Sequence, residues 1–195
     1  MAYIFVGLGN PGSEYEGTRH NTGRILLQLF GKTYDAEWKL DKKLNAQLAK
    51  IKVGKVPVTL VLPETFMNNS GKSVKPLVSS VKSAEKLVVI YDDLDMPFGA
   101  SKISFNKSSG GHKGLESIIK AIKTEKFARV RVGISPTTPT GKMKKPSGED
   151  AVIKVIMGKF KPEELAVLKK LSKKIGTALE VFTSSGLEKA MTGFN

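Results

Sequence analysis

The run Leu87-Val88-Val89-Ile90-Tyr91 is apolar at every position, and no other feature limits the fold as much. A strand with one wet face alternates polar and apolar residues. A strand without alternation is covered on both faces and belongs in the middle of a helix-flanked sheet. Tyr3–Leu8 reads as a second buried strand. Leu44–Val53 and Val56–Leu62 read as a pair turned by Gly54-Lys55, and Ser101–Phe105 and Ala128–Ile134 alternate as strands do. Between them, Ile25–Phe30 forms the apolar heart of a helix stopped at Gly31. Gly71–Val81 has helical spacing, with Val74, Leu77, Val78 and Val81 on one face, and Gly114–Ile122 is helical. Pro162-Glu163-Glu164 opens a further helix, because Pro suits the first turn and acids suit its positive end. The buried stripe of that helix is Leu165, Leu168, Leu171, Ile175, Leu179 and Phe182. Strands interleaved with helices give an α/β fold: one domain spanning 1–195, with a mixed, mostly parallel twisted sheet and helices on both faces. Ser135 to Asp150, rich in Pro, Thr, Lys and Gly, is expected to be an exposed, mobile loop.

The formal net charge is +14, which predicts attraction to polyanions and says nothing about fold. A lysine-rich genome would give the same excess, since only four of the 32 basic residues are arginine: Arg19, Arg24, Arg129 and Arg131. A guanidinium fork suits phosphate, although it also pairs structurally with carboxylates. Lys169, Lys170, Lys173 and Lys174 fall largely opposite the buried stripe, as a solvated face or a nucleic-acid contact. No apolar run approaches the roughly 18 residues that span a membrane, and MAYIFVGLGN lacks the basic start and long apolar segment of a signal peptide. Zero cysteines exclude disulfides and thiolate metal sites, which fits a reducing cytosol.

Chemistry concentrates in Gly7–Gly23, which carries five glycines and one of the chain's two histidines. Gly7, Gly9 and Gly12 have the spacing of a dinucleotide fingerprint. That motif needs its loop to run directly into a helix that binds pyrophosphate. Here Pro11 removes an N–H, Ser13 to Arg19 looks irregular, and no acidic residue ends a second strand at the required distance. In α/β sheets sites form beyond the carboxyl ends of strands, and the loops Gly9–His20, Pro63–Gly71 and Asp92–Gly99 leave such ends. The Gly110-Gly111-His112 turn could join them. His20 is the general-base candidate, since a free imidazole titrates near neutral pH. Asp92, following the buried strand, would be partly desolvated, would orient the His20 ring and would stabilise the imidazolium. Asn10 and Asn68 can hold a water, grip an amide or donate to an oxyanion. Phe66 and Met67 supply apolar surface or simply pack in the core. No Gly-x-Ser-x-Gly elbow and no cysteine signals a covalent nucleophile. Asp92-Asp93-Leu94-Asp95 lacks a second acidic or histidine cluster to complete a metal site. What remains is metal-free, cofactor-free, base-assisted attack by water on an activated acyl group such as an ester.

These segments resemble the bacterial-type peptidyl-tRNA hydrolases. The resemblance rests on Val6–Gly12 with Tyr15 and Thr18-Arg19-His20-Asn21, on Phe66–Gly71, and on Asp92–Asp95 with Gly99. It continues through Gly110–Leu115, Phe127–Ile134 and, more weakly, Val155–Phe160. It implies an enzyme that cleaves the ester between a peptide and tRNA and recycles tRNA from stalled translation. By this resemblance His20 is the base, Asp92 supports it, Asn10 recognises the peptide, and Asn68 orients substrate or water. Tyr15 and Phe66 contact the terminal nucleotides, Arg131 is a phosphate ligand, and Ser135–Met157 is a lid beside a basic surface for the acceptor stem. A cytoplasmic monomer with tRNA as partner is expected. The chain departs from the family at Lys113, usually Asn, where a cation would bind the tRNA backbone or depress the pKa of His20. It departs again at Ser104, usually basic and beside Arg131, where Lys102 or Lys107 would have to substitute. The rival reading is a non-catalytic RNA-binding protein on the same fold, like splicing relatives in plant organelles.

Overall fold

The computed structural model describes residues 2–195. Seven strands form one sheet in the order β2-β3-β4-β1-β5-β7-β6. They are β1 (Tyr3–Gly7), β2 (Lys39–Asp41), β3 (Ala46–Val53), β4 (Val56–Pro63), β5 (Leu87–Pro97), β6 (Ser101–Phe105) and β7 (Ala128–Ser135). The four central strands, β4, β1, β5 and β7, run parallel. The flanks are antiparallel, through the β2–β3–β4 meander on one side and β6 on the other. The expected α/β architecture is therefore present, with the parallel character confined to the centre.

Helices cover both faces. On one face lie α1 (Thr22–Lys32), α5 (Glu149–Met157), α6 (Pro162–Ser185) and α7 (Leu187–Phe194); the other carries α2 (Ser70–Val74) and α4 (Lys113–Ile122). Strand β5 shows why it has no polar face. Val88 and Ile90 pack with Leu26, Leu27 and Phe30 of α1, while Leu87, Val89 and Tyr91 pack with Leu115 and Ile118 of α4. The free edge of β6 is blunted at Ile103, whose N–H and carbonyl are both taken by the Asn195 side chain.

Several expectations need correction. The Gly71–Val81 helix is three pieces. Strand-like backbone intervenes at Val78, after a 3-10 turn at Lys75–Leu77 containing Pro76, and α3 (Val81–Ala84) starts afresh from a Ser80 cap. Only Val74 and Val78 of its proposed face are buried, and Val81 is exposed. Gly31 does not stop α1, because it packs against Trp38 and Leu60 inside the helix. Leu165 is exposed at the start of α6, whereas the remainder of its stripe is buried. Asp92 is not in a loop: β5 runs through it to Pro97. Residues 136–148 carry no regular helix or strand beyond a Thr137–Met143 bridge, and α5 follows at Glu149.

Candidate active site

The His20 turn is built by side chains that clamp backbone. The chain leaves β1, passes Gly12 at φ 108°, and makes 3-10 turns at Ser13–Tyr15 and Arg19–Asn21 before α1 begins. The helix thus starts only at Thr22, too far beyond Gly12 for a dinucleotide fingerprint. Buried Asn21 grips Asn10 from both sides: its Oδ1 accepts the Asn10 N–H at 2.8 Å and its Nδ2 donates to the Asn10 carbonyl at 2.9 Å. Helix α1 then presses on the sheet where only glycine fits. A Cβ on Gly23 would lie 2.0 Å from the Ile90 carbonyl oxygen, and one on Gly7 would lie 2.5 Å from that of Gly23. This contact sets the N-terminal end of α1, and so His20, against the end of β5. From the other side, the Arg19 N–H donates to the Gly158 carbonyl at 2.9 Å, and its guanidinium donates twice to Glu164, at 2.7 and 2.9 Å.

His20 Nδ1 lies 2.9 Å from Asp92 Oδ2, and His112 Nε2 lies 3.1 Å from Asp92 Oδ1. One buried carboxylate is shared by both histidines of the protein. At the first turn of α4, the Gly114 and Leu115 N–H groups donate to His112 Nδ1 at 3.2 and 3.3 Å, so this ring caps the helix. That nitrogen carries a lone pair, hence His112 is protonated on Nε2 and donates to Asp92. His20 donates from Nδ1, which leaves its Nε2 lone pair with no protein partner among the described residues. Burial alone would raise the Asp92 carboxyl, but the neighbouring His20 and His112 outweigh it and hold it well below the usual carboxylate range. Burial lowers the His20 imidazole, and the Asp92 charge and hydrogen bond more than reverse this, leaving it above its ordinary value.

These groups open on a cavity of about 630 Å³. His20, Asp92, Lys113 and Arg131 all border it, together with Ser104, the 107–112 loop, and an apolar wall of Leu94, Val152, Ile153 and Ile156. Arg131 donates from Nε to Asp93 at 2.7 Å, with its terminal nitrogens unpaired among the described residues. The other three arginines are used internally. Arg19 pairs with Glu164, Arg24 with Glu64 and the Pro63 carbonyl, and fully buried Arg129 holds the carbonyls of Lys107, Glu125 and Phe127. Lys113 is exposed and pairs with Glu116 at 3.3 Å. Ser104 is buried, and its hydroxyl has no partner among the described residues. Lys107 borders the cavity, whereas Lys102 stands directly opposite Arg131 in the β6–β7 register.

The other expected residues form a second cluster off this cavity. Asn10 Oδ1 accepts the Met67 N–H at 2.7 Å, the Tyr15 and Phe66 rings meet edge to face with centroids 6.3 Å apart, and Phe66 is 58% exposed. Asn68 is exposed and accepts from Asn69 at 3.3 Å. Met67 is buried with its sulfur against Gly114, so it packs in the core and offers no surface to a substrate. A Cβ on Gly114 would touch both Met67 Sδ, at 2.6 Å, and His112 Cε1, at 3.1 Å, so the two clusters adjoin at the start of α4. Sequence reasoning missed the role of His112. The available signal was its being the second of two histidines, after two glycines, just before a helix.

His20, Asp92 and His112 offer ligand atoms within 4.8 Å of one another. A metal would need a lone pair on His112 Nε2, yet the α4 amides hold the lone pair on Nδ1, so the set as arranged suits proton sharing. The adjacent acids diverge as well, Asp93 to Arg131 and Asp95 to Lys145.

The family model for peptidyl-tRNA hydrolase matches residues 4–195. The chain belongs to this family. The peptidyl-tRNA hydrolase of Aquifex aeolicus is 41% identical over 172 residues, covering 88% of this chain and 84% of the relative. That of Herpetosiphon aurantiacus is 39% identical over 195 residues, covering 99% and 90%. The crystal structure of peptidyl-tRNA hydrolase from Acinetobacter baumannii superposes with a TM-score of 0.87 at 29% identity, covering 100% of this chain and 94% of that one.

Proposed function

We infer that this protein is a peptidyl-tRNA hydrolase, cleaving the ester that joins a peptide or N-blocked amino acid to tRNA. The observation that carries the mechanism is the His20–Asp92 pair, which leaves His20 Nε2 free at the edge of the cavity. His20 Nε2 takes a proton from water as the water oxygen attacks the ester carbonyl. Asp92 stabilises the imidazolium, and the tetrahedral oxyanion then expels the ribose oxygen, which receives the proton back from His20. The products are a free peptide carboxylate and a tRNA with its ribose hydroxyl restored. The His112 tautomer favours a route without a metal.

Asn10 spends its Oδ1 on the Met67 N–H, so its Nδ2 is the atom left to meet the peptide. Asn68, exposed on the adjoining turn, is suited to orient substrate or water, with Tyr15 and Phe66 as the platform for the terminal nucleotides. Arg131 and Lys113 are the phosphate contacts, and the segment 135–157 acts as a lid whose helix supplies the cavity's apolar wall. The protein works as a cytoplasmic monomer on tRNA. No helix among the described residues is long and apolar enough to cross a membrane.

The test is release of an N-blocked amino acid from tRNA by purified protein in the presence of a chelator. His20→Ala should lower turnover by about two to four orders of magnitude. A loss under tenfold removes His20 from the role. RNA binding without any turnover would revive the non-catalytic reading, which neither the paired base nor the hydrolase relatives support.

A further inference from the structure

Asp92 is a buried acceptor with two oxygens and two ring donors, one of which belongs to a residue outside the reaction described above. Both nitrogens of His112 are occupied, Nδ1 by the α4 amides and Nε2 by Asp92, so it has no hydrogen-bonding atom left for substrate. Its ring is wedged between the edge of Tyr91, at 5.0 Å, and His20, at 5.2 Å. We propose that His112 is a positioning residue for the base: with its tautomer set by the first amides of α4, it holds Asp92 Oδ1 and leaves only Oδ2 for His20, locking His20 in the Nδ1–H form. The proposal rests on His20 being the base.

An ionised carboxylate only accepts, so each ring facing Asp92 must present an N–H. His20 alone could rotate or exchange its tautomer. His112 cannot, because an Nδ1–H would face the Gly114 and Leu115 N–H groups at hydrogen-bond distance. The helix end therefore dictates the His112 tautomer, His112 fixes the roll of the carboxylate, and the carboxylate dictates the His20 tautomer. Other charges near His20 are largely neutralised in pairs: Arg19 with Glu164, Arg131 with Asp93, Lys145 with Asp95 and Lys113 with Glu116. Lys107 and Glu149, of opposite sign, remain on the cavity wall. Asp92 is thus the charge that outweighs burial and raises His20.

With only two histidines, nitrogen-15 histidine labelling gives a two-residue NMR spectrum that reads each tautomer directly. Above the titration of His20, the wild-type protein should show the proton on Nδ1 of His20 and on Nε2 of His112. His112→Asn keeps an oxygen to cap α4 but is too short to donate to Asp92. Losing that donor concentrates the Asp92 charge on His20. The His20 titration and the acid limb of kcat/KM should then rise together by about half a unit or more, with kcat falling about tenfold and KM little changed. An Nδ1–H on His112 in the wild-type spectrum overturns the proposal even if every variant misfolds. So does an unshifted His20 titration in folded His112→Asn. Retention of activity by His20→Ala would instead overturn the base assignment, leaving the observed tautomers as they are.

Discussion

Asp92→Asn is a nearly isosteric change whose consequence can be worked out atom by atom. The carboxylate accepts two N–H bonds, from His20 and His112. An amide has one acceptor end and one donor end. His112 must donate, because its Nδ1 is held by the α4 amides, so the new carbonyl oxygen turns to His112. The new NH₂ then faces His20 Nδ1, which must accept, and this moves the His20 proton to Nε2. The base is blocked at the atom that should receive a proton from water. Two losses therefore combine: a charge-assisted bond to the imidazolium, worth about 1.5–3 kcal/mol, and a tautomer reversal of about 1–2 kcal/mol. A total of about 4 kcal/mol corresponds to about a 10³-fold lower kcat/KM. The same aspartate-to-asparagine change in a serine-protease triad also leaves the histidine in the wrong tautomer, and it costs about 10⁴ in kcat. Release of N-blocked amino acid from tRNA measures the rate, and histidine NMR reads the proton on His20. A loss below tenfold, or a His20 that keeps its Nδ1 proton in the variant, refutes the reasoning.

Other perturbations probe separate contacts. Gly23→Ala puts a Cβ 2.0 Å from the Ile90 carbonyl, backbone against backbone, and should cost about 3 kcal/mol, or roughly 6–12 °C in Tm; an unchanged melting temperature would mean that α1 can slide. Lys113→Asn should make the salt dependence of tRNA binding shallower by about one unit, and an unchanged slope with faster turnover would assign Lys113 to tuning His20 instead. Because His20 is raised, kcat/KM should fall on the acid side with its midpoint above about 6.5, and a midpoint below that contradicts the dominance of Asp92. The stability linked to His20 is full below that unfolded value and fades as pH rises through the folded one. The stability linked to Asp92 is full above about 3.9 and fades as pH falls through its lowered value, so urea midpoints of wild type and Asp92→Asn should converge in acid.

Much of this architecture is legible in the residues because it follows from short-range pattern. Leu87–Tyr91 announces a doubly covered strand, and the Gly7–Gly23 polar loop announces the site. What escapes depends on partners distant in sequence or on backbone chemistry. Pro76 cuts a well-spaced apolar pattern, so a missing N–H and a fixed φ override side-chain periodicity. Met67 lies beside exposed Phe66 in sequence yet turns into the core. Three of four arginines are taken up by partners at Glu164, Glu64 and the Lys107 carbonyl, each at least 22 residues away in sequence. His112 reads as a turn residue because its three bonds join a helix end to a strand 20 residues earlier.

The neighbouring acids Asp92 and Asp93 form an internal control on the mechanism. Both carboxylates reach the same cavity at the end of β5, but each is taken by a different cation or ring. Asp92 meets His20 in the turn that leads into α1 and His112 at the start of α4; Asp93 meets Arg131. Identical chemistry one residue apart is thereby assigned to proton transfer in one case and to holding a guanidinium in the other. Asp93→Asn removes a charge from the wall of the same cavity, but it leaves both imidazole bonds intact. It should change KM for tRNA through Arg131 while kcat stays within about threefold, against the roughly 10³-fold loss at Asp92. Equal losses of kcat at the two positions would mean that general negative potential, and not the directed bond to His20 Nδ1, supports the base.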